Sequence, residues 1–200
     1  MYNNIPLHLH GGAFTMSIFN CHKCNLWRSR TQVVVGRGSI NPKILFIGEA
    51  PGATEDKEGL PFCGKSGQVL EQLIEKANIE SIDYQITNLV KCRPPKNRNP
   101  KPEEIKACSP YLEKEIRMFH PIIIVPLGKF SSEYIYKKYN IPFTTISKEQ
   151  GQVQKTGQSF NPLYVMASFH PAAALYTPAN KKKILLGFRK LNKIIKEESK

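Results

Sequence analysis

Three short stretches in this chain carry polar residues suited to chemistry, each within or directly after an apolar, β-rich run. They are Gly48-Glu-Ala-Pro-Gly-Ala-Thr-Glu-Asp56, Thr87-Asn88 and His170-Pro-Ala-Ala-Ala-Leu175. An asparagine presents one acceptor and one donor on a flat amide, histidine is a donor or base near neutral pH, and Glu49 and Glu55 supply carboxylates. Taken singly, the first is a tight turn, Asn88 a strand-end cap and His170 a core histidine. Convergence of all three on one sheet edge weakens those readings. A second constellation is made of cysteines: Cys21-x-x-Cys24 lies before the first β-rich run, and Cys92 and Cys108 flank the start of a helical pattern. Four thiolates suit a zinc ion or an iron-sulfur cluster equally well on ligand chemistry. Cys63 has no partner in sequence and reads as a free, buried thiol.

The elements that must position these residues follow from periodicity. Strands are expected at 43–47, 84–90, 122–127 and 164–169, and helices at 66–77, 102–119, 130–139 and 179–196. Val69, Leu70, Leu73 and Ile74 share one face of the first helix, which Ser66 would cap. Pro102 opens the second, with two glutamates in its first turn. Strands alternating with helices imply an α/β fold, a three-layer α/β/α sandwich around a central four-stranded, mostly parallel sheet. Ligands then bind beyond the carboxyl ends of the strands, where the polar stretches lie. The proline-rich segment 93–102 is a basic loop offering Arg93, Lys96 and Arg98 to phosphates. Lys181, Lys182 and Lys183 offer a second contact or a solvated face. Segment 147–161 reads as a peripheral loop.

The 200 residues and 40 % hydrophobic content suit one domain, 16–200, preceded by an extension, 1–15, that is expected to be dispensable, with His8 and His10 expected to be exposed. Lysine and arginine number 29 against 16 acidic residues, a balance of +13 that favours a polyanionic partner. No apolar run approaches the ~20 residues that span a bilayer, and no signal-peptide pattern opens the chain. A cytoplasmic location follows, where thiols stay reduced.

Together with Gly59-Leu-Pro-Phe-Cys-Gly-Lys-Ser-Gly67 and Thr87-Asn-Leu-Val-Lys-Cys-Arg-Pro-Pro95, these motifs resemble the family 4 uracil-DNA glycosylases, from about Cys21 to the last helix. The resemblance implies a 4Fe-4S cluster on Cys21, Cys24, Cys92 and Cys108, and a substrate of uracil-containing DNA, single- or double-stranded. It implies hydrolysis of the N-glycosidic bond, leaving an abasic site. Such an enzyme extrudes the nucleotide into a pocket. Phe62 would stack on the uracil, and Asn88 would read N3-H and O4. Backbone groups of Glu49, Ala50 and Pro51 would line the pocket, with Glu55 near C5. His170 would donate to O2 as negative charge develops. Glu49, or Glu55 with it, would position water; Ala50 stands about where family 1 enzymes carry an aspartate, so the water-activating residue is less defined than the pocket. Leu175 and Tyr176 are wedge candidates for the emptied stack. A monomer that recruits a replication or repair protein is expected. Three rivals are a family 5 glycosylase, a non-catalytic damage-binding module and an electron-transfer protein, the last of which leaves Asn88 and His170 without purpose.

Overall fold

The computed structural model describes residues 18–158 and 161–198. The proposed extension at 1–15 lies outside them. Six strands form one sheet among the described residues: β1 (Arg37–Gly38), β2 (Ile44–Gly48), β3 (Tyr84–Asn88), β4 (Ile123–Pro126), β5 (Val153–Gln158) and β6 (Asn161–Met166). Their order is β1-β3-β2-β4-β6-β5. The inner four are mutually parallel and overlap the four expected runs, although β6 begins and ends three residues before the run expected at 164–169. Every residue of β2 and β4 is buried, as in strands covered on both faces.

The two additional strands are antiparallel edges. The expectation of a four-stranded sheet with a loop at 147–161 is corrected here. A short helix over Ile146–Glu149 and strand β5 occupy that segment, and β5 pairs with β6 along its whole length. Its Val-Gln-Lys-Thr-Gly-Gln sequence has only one apolar residue. Ladder pairing with β6, which no composition signal reports, decides its structure.

Seven helices complete the described fold: α1 (Ala53–Glu58), α2 (Lys65–Lys76), α3 (Pro102–Phe119), α4 (Lys129–Lys138), α5 (Ile146–Glu149), α6 (Ala172–Tyr176) and α7 (Pro178–Glu198). The strand period of two sends Ile44, Phe46, Ile123 and Val125 to one face, where they meet Leu70 and Leu73 of α2 and Phe188 and Leu191 of α7. Leu45, Ile47 and Ile124 go to the other, against Leu112 and Ile116 of α3 and Ile135 and Tyr136 of α4. The result is three layers. Ser66 is not the cap of α2, contrary to expectation. The helix starts one residue earlier with Gly64 as N-cap, because the Gly64 N–H is held by Glu55. No described helix is long and apolar enough to cross a membrane.

Candidate functional site

Strands β2 and β3 end together, with Gly48 directly opposite Asn88 in the ladder. The register brings the first two polar stretches to one point. Gly48 has to be glycine there, since a Cβ would collide with Asn88 Oδ1 and with the Phe62 ring at 2.6 Å. Asn88 is 2 % exposed, and its Oδ1 has no hydrogen-bond partner within the protein. Leaving a buried acceptor unpaired costs about 1–3 kcal/mol, so its retention points to a group that arrives from outside.

Phe62 reaches this point through a strained turn. Its φ is +53°, in the left-handed region that a bulky residue rarely adopts. Arg37 of β1 holds the turn by donating to the carbonyls of Pro61 at 2.8 Å and Phe62 at 3.2 Å, and is itself anchored to Glu71 at 2.6 Å. Gly67 leaves room for the same Phe62 carbonyl. Arg37 was not legible as a site residue, because nothing in its neighbourhood marks what it will grip.

The third stretch delivers His170, whose ring stacks on Phe62 at 5.7 Å between centroids and 28° between planes. Gly128, at φ +94°, admits this approach, since a Cβ would lie 3.3 Å from His170 Cβ. The Ala172 N–H points to Nδ1 at 3.2 Å, which makes Nδ1 the acceptor and leaves the ring proton on Nε2. Burial pushes the imidazolium down to about 4, with Glu55 pulling weakly the other way. His170 is thus a neutral Nε2–H donor at physiological pH.

The two carboxylates differ. Glu55 accepts the N–H of Gly52 at 3.1 Å and of Gly64 at 2.8 Å, clamping together the two glycine turns that frame Phe62. Glu49 is half-buried, and burial alone raises its pKa above the usual carboxylate value. Ala50 and Pro51 follow it in the same turn, half-buried and buried respectively. Leu175 and Tyr176 stand on α6 just beyond His170, at 42 % and 86 % exposure.

The basic loop divides by role. Lys96 and Lys101 are exposed, and half-buried Arg93 donates to Asn97 at 2.7 Å. Arg98 instead makes two parallel bonds, 2.8 and 2.6 Å, to the buried Glu104 of α3, whose carboxyl it holds below the usual range. It is a strut of the loop. Lys182 and Lys183 are exposed near the start of α7 and Lys181 is half-buried, with the Lys183 ammonium 6.0 Å from the Phe169 ring centre.

Cys21, Cys24, Cys92 and Cys108 gather around one small cleft with Leu26 and Trp27. Val33, Val35, Val90 and Tyr111 pack around the same group. Arg30, another residue that carried no signal in sequence, donates to Cys92 Sγ at 3.3 Å and to the carbonyls of Cys21 and Phe19. The Lys91 N–H donates to Cys108 Sγ, also at 3.3 Å. Burial raises the thiols of Cys24 and Cys92 and pushes Cys108 up to about 12. A cation among them would reverse this, and N–H donors aimed at sulfur suit thiolates. Among the described residues no three Cys, His, Asp or Glu side chains are arranged to share a single metal ion. Cys63 is free as expected, but it is half-buried and not buried, unlike its buried neighbour Phe62.

The family model described as the uracil DNA glycosylase superfamily matches residues 35–193. The chain is 43 % identical to a type-4 uracil-DNA glycosylase of Sulfurisphaera tokodaii over 178 residues, 88 % of this chain and 81 % of that one. It is 44 % identical to a type-4 enzyme of Saccharolobus solfataricus over 88 % of this chain and 82 % of that one. A type-4 enzyme of Archaeoglobus fulgidus is 38 % identical, over 88 % and 89 % respectively.

Proposed function

Because this chain belongs to the uracil DNA glycosylase superfamily, we propose that it is a monofunctional uracil-DNA glycosylase. It hydrolyses the N-glycosidic bond of deoxyuridine in DNA. The observation that carries the reading is Asn88, a buried amide with an unpartnered acceptor, set beside an aromatic ring and a neutral histidine donor. That trio matches the needs of a flipped pyrimidine: a face to stack on, an edge to read, and a donor where charge develops. Asn88 Oδ1 accepts from uracil N3-H while Nδ2 donates to O4, a pattern cytosine reverses. Phe62 stacks on the base, and the backbone of Glu49, Ala50 and Pro51 closes the pocket wall.

Cleavage leaves negative charge on the departing uracil and positive charge on the deoxyribose. His170 donates from Nε2 to O2, and being neutral beforehand it gives the transition state a bond stronger than the ground state receives. Glu49, with a carboxylate not committed to backbone N–H groups, positions the water or steadies the sugar cation. Glu55 acts mainly by holding the two glycine turns, with its position near C5 serving to exclude a methyl group. Leu175 and Tyr176 fill the vacated stack.

Cys21, Cys24, Cys92 and Cys108 would hold a 4Fe-4S cluster. In such a cluster each iron takes one cysteine, and four cysteines line the one cleft here. Bound there, the cluster supplies a cross-link that shapes the adjoining loop. The protein works as a cytoplasmic monomer on single- or double-stranded DNA and passes its abasic product to repair proteins. Incubation with oligonucleotides carrying one uracil, in U:G, U:A and single-stranded form, should release free uracil. Tight binding of such DNA with no uracil released would identify a damage-binding module instead.

A further inference from the structure

Lys91 is entirely buried and lies three residues beyond Asn88. Its ammonium has three protons, and each has an acceptor: Thr87 Oγ1 at 2.5 Å, Asn88 O at 2.8 Å and Glu115 Oε2 at 2.7 Å. Thr87 Oγ1 lies in addition 3.0 Å from Glu115 Oε2. Thr87 is 0 % and Glu115 4 % exposed, so the network is sealed from solvent. A buried ion pair is poor value as a source of stability, because desolvation offsets much of its attraction. Its geometry has a clearer use. It grips the Asn88 carbonyl and the neighbouring Thr87 hydroxyl at the point where β3 ends, while the Asn88 side chain keeps an unpartnered acceptor. The Lys91 N–H meanwhile bonds Cys108 Sγ, so this one residue touches both the base-reading asparagine and the cysteine group.

We infer that Lys91, with Glu115 and Thr87, is a positioning residue for uracil recognition, fixing the Asn88 main chain so that the amide meets the base at the required angle. It also ties that strand end to the cysteine site. The inference rests on the assignment of Asn88 as the base reader. Lys91→Met alone leaves the Glu115 carboxylate buried without a partner and invites misfolding. The informative variant replaces the whole network together: Thr87→Val, Lys91→Met and Glu115→Leu. It should keep its circular dichroism, iron content and affinity for undamaged DNA. Its single-turnover rate of uracil excision should fall roughly 10- to 100-fold, the effect of a small misplacement at a reacting centre.

A double-mutant cycle separates positioning from general support. In an Asn88→Ala background the same triple change should lower the rate by less than about twofold, since the group it positions is already gone. Equal losses in both backgrounds would overturn the inference, as would a triple variant that loses its fold or its iron. If Asn88→Ala is crippled and the triple variant works at the parental rate, only this inference fails. If Asn88→Ala itself works at the parental rate, the base-reading assignment fails and takes the inference with it.

Discussion

The donor role proposed for His170 needs an uncharged ring, and two local facts favour that state: burial that opposes the imidazolium and a backbone N–H that occupies Nδ1. His170→Ala should lower single-turnover excision by ~100- to 1,000-fold, the usual effect of losing one such donor. Binding of uracil-containing DNA should change little, which gel-shift titration beside the rate measurement will show. Protonation adds a second check. The imidazole pKa falls from 6.5 in the unfolded chain to about 4 in the folded one. The unfolded state therefore binds more protons between those values, and stability drops as pH falls from 6.5 towards 4, by at most about 3 kcal/mol. Above pH 6.5 this contribution is complete. His170→Gln should flatten that part of the denaturation profile, and an unchanged pH slope would mean another group titrates there.

The base reading proposed for Asn88 is tested at the same scale. Asn88→Asp replaces the donor with a second acceptor, which then faces uracil O4 in a poorly hydrated pocket. At ~1–3 kcal/mol for the lost pairing, and more for a charge, uracil excision should fall at least about tenfold. Slow excision of cytosine, whose exocyclic amine a carboxylate can accept, is the expected gain. Matched uracil and cytosine oligonucleotides under single-turnover conditions measure both, and unimpaired uracil selectivity would assign base reading to another residue.

Among the elements, the loop from Arg93 to α3 shows how identical charges divide into different roles. Arg98 and Glu104 brace it internally, whereas Lys96 and Lys101 face solvent and Arg93 makes one bond within the loop. Changing Arg93, Lys96 and Lys101 to glutamine should weaken binding evenly across sequences and reduce the salt dependence by about 0.9 per lost contact on duplex DNA. Arg98→Ala should instead lower the melting temperature, because Glu104 is left buried without its bidentate partner. A full drop in salt slope with unchanged melting would return Arg98 to the phosphate contacts. Glutamines at Lys181, Lys182 and Lys183 test α7 in the same way, and an unaltered slope would mark that run as a solvated face.

At the scale of the whole molecule, the cysteine group joins segments distant in sequence: the chain before β1, the loop after β3 and the second turn of α3. The proposed cluster would close long loops there and couple metal binding to folding. Protein purified without oxygen should be brown and contain iron, as visible absorbance and metal analysis will report. Alanine at Cys21, Cys24, Cys92 or Cys108 should bleach it and lower its melting temperature, while Cys63→Ala should leave the colour intact. Colourless protein holding one zinc ion would overturn the cluster assignment. The +13 balance acts over the same scale, drawing the molecule to DNA before any specific contact forms.

Much of this was legible in the chain itself. The four central strands could be read because strands buried on both faces must be apolar throughout, and α2, α3, α4 and α7 because their buried residues recur at helical spacing. Asn88, His170 and the four cysteines stood out because their chemistry is unusual at strand ends and at those intervals. Pairing and packing decided the rest. Edge strands β1 and β5 are held by ladder bonds to neighbours that sequence does not name, and the cap of α2 was set by a carboxylate nine residues away. Nothing in the sequence around Arg30, Arg37, Lys91 and Glu115 marks the partners they meet. Only the tertiary structure shows which carbonyl or sulfur each one meets, because a long charged side chain declares its partner only when folding brings that partner within hydrogen-bond reach.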